Sequence, residues 1–89
     1  MFELLVSKKD LLAQLSSNRT LRGYGCSAEP DGARIVKITC AGKFHGRWRQ
    51  TSSSYDWYPA GHFRPAYQTP SIEEAVKFMV RAMSSKAAA

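Results

Sequence analysis

Between Lys43 and Gln50 cations and apolar residues alternate. Lys43, His45, Arg47 and Arg49 take the odd positions, and Phe44, Gly46, Trp48 and Gln50 the even ones. Successive side chains of an extended strand point to opposite faces, so this spacing predicts a cationic row on one face and Phe44 with Trp48 packed inside on the other. Lys37, on a neighbouring strand, adds to the row. Same-face groups stand roughly 6.6 Å apart, close to the spacing of successive phosphates along a nucleic-acid strand. Like charges on one strand face repel when unpaired, and a bound anion relieves that cost. From Ala33 to Ser54 the chain carries Arg34, Lys37, Lys43, Arg47 and Arg49 and no acid. The competing reading is a solvated face kept soluble by like charge.

A second constellation, Tyr55, Trp57, Tyr58, His62, Phe63, Arg64 and Tyr67, crowds aromatics beside cations. Tyr, Trp and Arg bury large area with few rotamers to freeze, which makes Tyr55, Trp57, Tyr58, Arg64 and Tyr67 candidates for a protein interface. Aromatics beside cations also hold single strands by stacking. Alternatively, Trp57 and Phe63 fold inward to complete a thin core.

Catalytic residue types are present in Cys26, Cys40, His45, Asp56 and His62, but their spacing does not organise them. The paired C-x₂₋₄-C and H-x₃₋₅-H clusters that let one turn present two zinc ligands are missing, as are P-loop, G-x-S-x-G, H-E-x-x-H and dinucleotide fingerprints. The chain is therefore expected to be no enzyme and to need no metal or cofactor; a Cys/His site converging in space is the minor alternative. Cys26 and Cys40 fit a reduced compartment, where buried thiols behave as small apolar groups. A cross-strand disulfide is the alternative if the protein is exported.

These residues need elements to position them. Ser7 and Asp10 resemble a capping box, and Val6 and Leu11 a hydrophobic staple, opening a helix over residues 8–17 with Leu11, Leu12 and Leu15 on one stripe. Phe2 to Val6 reads as a short strand before it, or as the start of one longer helix reaching Leu15. Thr20 to Cys26 reads as a weak strand, since Gly23 and Gly25 lower its propensity. Glu29-Pro30-Asp31-Gly32 is a turn, residues 34–40 a β-branched strand, and Ala41-Gly42 a tight reversal into Lys43 to Gln50. Thr51 to Gly61 reads as an aromatic loop, and His62 to Gln68 as an edge strand at most, because Pro65 cannot donate to a ladder. Thr69, Pro70, Ser71 and Glu74 open a last helix whose Ile72, Ala75, Val76, Met79, Val80 and Met83 share one face.

The expected fold is α+β: a small antiparallel sheet of three or four strands, with an N-terminal and a C-terminal helix packed on one face. At 89 residues the chain supports one domain, 1–86, with Ala87-Ala88-Ala89 read as a vector-derived tail. No stretch approaches the roughly 18 apolar residues needed to cross a bilayer, and Met1 to Val6 lacks a cationic region before its apolar run, so a cytoplasmic location and no membrane partner are expected. Thirteen Lys and Arg against seven Asp and Glu give a net charge of +6, which favours acidic partners.

The order helix, three strands, helix is similar to that of double-stranded RNA-binding domains. Those open their last helix with a lysine-rich segment that grips phosphate, whereas Ser71-Ile72-Glu73-Glu74-Ala75 presents acids. No binding residue is carried over from that family. The expected function is non-enzymatic binding of nucleic acid or a nucleic-acid-binding protein complex through Lys37, Lys43, His45, Arg47 and Arg49. The alternative is a small inhibitor or adaptor of phage or mobile-element type that grips a host protein through its aromatic loop.

Overall fold

The computed structural model describes residues 8–88. In chain order the elements are α1 (Lys8–Ser17), α2 (Arg19–Gly23), β1 (Cys26–Pro30), β2 (Ile35–Cys40), β3 (Lys43–Gln50), β4 (Tyr55–Pro59), β5 (Tyr67–Thr69) and α3 (Ile72–Ala88). The architecture is the expected α+β one. Its sheet is antiparallel and has five strands instead of three or four, ordered β1-β2-β3-β4-β5 as in the chain. The strand expected at Phe2 to Val6, the cap at Ser7 and the staple at Val6 lie outside the described residues.

Three segments differ from expectation; Glu29 and Pro30, expected in a turn, end β1, and the reversal runs from Asp31, whose N donates to Ile35 O at 2.9 Å. Thr20 to Cys26 is no strand: residues 19–23 form α2, because the Asn18 side chain caps the helix by accepting from Leu21 N at 3.0 Å. Leu21 is the one buried residue of that helix and anchors it to the core. Gly25 then takes φ +77°, and its carbonyl accepts from Ala41 N at 3.0 Å, which starts β1 beside the end of β2.

Residues 55–59 are also not loop. Tyr55 and Trp57 lie in the core on the helix side while Asp56 and Tyr58 fall on the opposite face, and Tyr55 to Tyr58 is rich in the aromatic types that strands favour. The true turn before it is Thr51 to Ser54, closed by Thr51 N to Ser54 O at 2.8 Å and by Ser54 N to Thr51 Oγ1 at 3.0 Å. Pro65 stays outside β5, whose three residues begin at Tyr67.

The helices cover one face of the sheet. Leu11, Leu15 and Leu21 from the first two, and Ala75, Met79 and Met83 from α3, meet Val36, Ile38, Trp48, Tyr55 and Trp57. Trp48 sits at the centre with no exposed surface, edge-on to Phe78 at 6.0 Å, 5.2 Å from Trp57 and edge-on to Tyr67 at 6.3 Å. Its Nε1 is buried without a hydrogen-bond partner among the described residues. Tyr67 and Phe78 stack at 4.3 Å with nearly parallel rings.

Three local devices fix the ends. Ser71 caps α3 by accepting from Glu74 N at 3.3 Å, and Thr69 Oγ1 accepts from Ser71 N at 3.1 Å. Lys8 ties α1 to the sheet's far end: its backbone N donates to Gln50 Oε1 at 2.7 Å, and its ammonium to Gly32 O at 2.9 Å. Cys26 and Cys40, expected as free thiols, instead form a disulfide across β1 and β2, where the register places them directly opposite each other. Antiparallel pairing brings the two within bonding reach, which spacing in sequence alone does not reveal.

Candidate functional site

The face of the sheet away from the helices carries the cations, though not the four expected. The β2–β3 register slips by one residue between Ile38 and Thr39: Ile38 opposes Gly46 and Thr39 opposes Phe44, leaving His45 extra. Such a bulge puts two adjacent residues on one side and inverts the alternation beyond it. Gly46 and Trp48 stay on the helix side, but Phe44 moves to the open face beside Arg47 and Arg49. Phe44 is 44% exposed instead of buried. The helix side also receives His45, whose ring lies 5.5 Å from Trp57, and Lys43, opposite Cys40 at the exposed start of the strand.

Gly46 is the reason the slip is tolerated. A β-carbon there would stand 2.6 Å from Trp57 Cη2, Trp57 Cζ2 and the Tyr58 carbonyl oxygen, so only glycine lets the Trp57 ring lie across β3.

Ladder partners define three rows on the open face. Glu29, Lys37, Arg47 and Tyr58 form one, Ile35, Arg49, Asp56 and Gln68 the second, and Ser27, Thr39 and Phe44 the third. Lys37 Nζ lies 6.0 Å from the Phe44 ring centre, and the Arg47 guanidinium lies 5.1 Å from that of Tyr58. At these distances the ring faces attract the two cations. The row is not free of acids: folding brings Glu29 opposite Lys37 and Asp56 opposite Arg49. Among the described residues no carboxylate comes within 4.0 Å of Lys37, Arg47 or Arg49, and the ion pairs join Lys77 with Glu73 and Glu74. Asp56 is only 6% exposed and accepts from Ser54 Oγ at 2.9 Å.

The aromatic constellation divides in two. Tyr55, expected at a surface, is a core residue, Trp57 takes the inward alternative, and Tyr67 is half-buried in its stack on Phe78. Tyr58 belongs to the open face. His62, Phe63 and Arg64 project from the β4–β5 loop, with Phe63 94% exposed. Ala60 N to His45 O at 3.0 Å holds this loop beside the start of β3. A groove of about 520 Å³ between α1 and α3 is lined by Asp10, Glu73, Lys77, Ile72 and Val76 among others.

No protein-family model, curated protein or solved structure matches this chain. Chemistry on the open face is therefore read from its own residues. Phe44 is the functional candidate that alternation hides, and the only sign of it in the sequence is Gly46, a residue that marks bulges when it interrupts a strand. Among the described residues no three His, Cys, Asp or Glu side chains gather to hold a metal ion, and no helix is long and apolar enough to cross a membrane.

Proposed function

We propose that the protein is a non-enzymatic module that binds nucleic acid on the open face of its sheet, with Lys37, Arg47 and Arg49 meeting phosphates. The observation that carries this reading is the direct pairing of Lys37 with Arg47, two cations braced on the Phe44 and Tyr58 rings with no carboxylate partner among the described residues. Cations already drawn to rings lose less freedom when a phosphate is bound. The net charge of +6 attracts a polyanion to the surface from a distance.

Binding of this kind releases counterions and weakens steeply with salt. Fluorescence anisotropy with a labelled oligonucleotide across a salt series tests it. Arg47→Ala with Arg49→Ala is expected to weaken binding and to reduce the salt slope by about 1 for each phosphate that is no longer neutralised. Affinity that ignores salt overturns the reading.

A second reading, a protein-binding inhibitor or adaptor, rests on Phe63, whose side chain stands 94% exposed between His62 and Arg64. Affinity capture from a native lysate with nuclease separates the two. Capture that survives nuclease and is lost in Phe63→Ser supports the second reading; capture abolished by nuclease supports the first.

A further inference from the structure

Resting on the nucleic-acid reading above, we propose that the open face takes single strands, with bases stacked on Phe44 and on the Arg47–Tyr58 pair while Lys37 and Arg49 hold the intervening phosphates.

A duplex fits this surface poorly. The B-DNA major groove is about 12 Å wide and admits a helix or a two-stranded ribbon. Five strands at about 4.8 Å spacing span roughly 19 Å between the outer two, too broad to enter it. At the start of α3, Glu73 and Glu74 repel phosphate, and the Lys8 ammonium at the start of α1 is already bonded to Gly32 O. Against a duplex the face reaches only the phosphate backbone, and Phe44 meets nothing.

A single strand uses what a duplex leaves idle. Its bases are free to leave one another and stack on protein rings or on a guanidinium plane. Phe44 offers a ring that is 44% exposed, and Arg47 lies over Tyr58 as a second flat surface. Their ladder partners Thr39 and Lys37 are two residues apart on β2, which separates the two stations by roughly 6.6 Å. That is about twice the 3.4 Å rise per nucleotide within a duplex strand, so two consecutive nucleotides reach one station each once unstacked. Stacking tolerates any base.

The test measures labelled oligothymidylate, oligouridylate and a duplex of equal length by anisotropy at matched salt. Single strands are expected to bind at least about tenfold more tightly than duplex, with DNA and RNA alike. Phe44→Ala should weaken single-strand binding by about fivefold to a hundredfold and leave duplex binding unchanged, whereas Phe44→Tyr retains affinity. Phe44→Leu, which keeps apolar bulk without a π face, supplies a second variant should the alanine form fold poorly, and it should lose affinity as well. Equal affinity for strand and duplex, or Phe44 variants that bind as the parent does while Arg47→Ala weakens both ligands, overturns the stacking inference and leaves the nucleic-acid reading standing. Absence of binding to every oligonucleotide overturns both.

Discussion

Gly46 and Trp57 meet across β3 and β4 so closely that a β-carbon on residue 46 would stand 2.6 Å from the Trp57 ring. The site depends on this contact, because the bulge at His45 that turns Phe44 outward lies next to it. Gly46→Ala must move either the Tyr58 carbonyl or an indole packed in the core. We expect a loss of about 1–3 kcal/mol in urea unfolding, the usual cost of overpacking. An unchanged midpoint would show that Trp57 yields and that glycine does not hold the bulge.

The inverted alternation gives a direct comparison within one strand. Trp48→Ala should cost about 3–5 kcal/mol, as the loss of a fully buried indole does. Phe44→Ala should cost under about 1 kcal/mol, because its ring is half in water. Equal and large losses from urea melts of both variants would restore Phe44 to the core.

The hairpin of β1 and β2 is closed by the Cys26–Cys40 disulfide, with 14 residues separating its ends. Closing a loop of this length stabilises by about 3 kcal/mol through the unfolded chain. The doubly substituted Cys26→Ala/Cys40→Ala protein, or the parent in reductant, should lose about that much, and thiol titration of the oxidised protein under denaturing conditions should find no free thiol. Two titratable thiols would remove the bond from the account.

The short helix α2 rests on one cap and one anchor. Asn18→Ala removes the acceptor for Leu21 N and should cost about 0.5–2 kcal/mol, while Asn18→Asp keeps the cap and stays near the parent. Thermal unfolding of the pair checks it: two variants with the same midpoint would mean that Leu21 alone holds the helix.

Legibility of the chain follows the range of the forces involved. α1, α3, β2 and β3 are readable because their signals are local: a leucine stripe, the Thr69 to Glu74 caps, β-branched runs between turns. α2 is hidden since Asn18 reads equally as the stop of one helix and the cap of the next. β4 is legible in principle from Tyr55 and Trp57 alternating with Asp56 and Tyr58, but flanking serines and Pro59-Ala60-Gly61 make it look like loop. The site is half legible. Arg47, Arg49 and Lys37 fall on one face as alternation requires, but the exchange of Phe44 for His45 depends on a ring on the neighbouring strand, and within β3 only Gly46 hints at it.

The order of strands in the sheet is the order of strands in the chain. Each ladder therefore closes a short loop, and no strand waits for a distant partner, the arrangement that keeps the entropic barrier to folding low. What remains for the end is α3, which must travel back to α1 and α2 before Trp48 is sealed from water. Stopped-flow refolding should accordingly show tryptophan burial and the final gain of helix as one event. A meander that zips locally before its helices close over it would have the open face assembled before the core is dry.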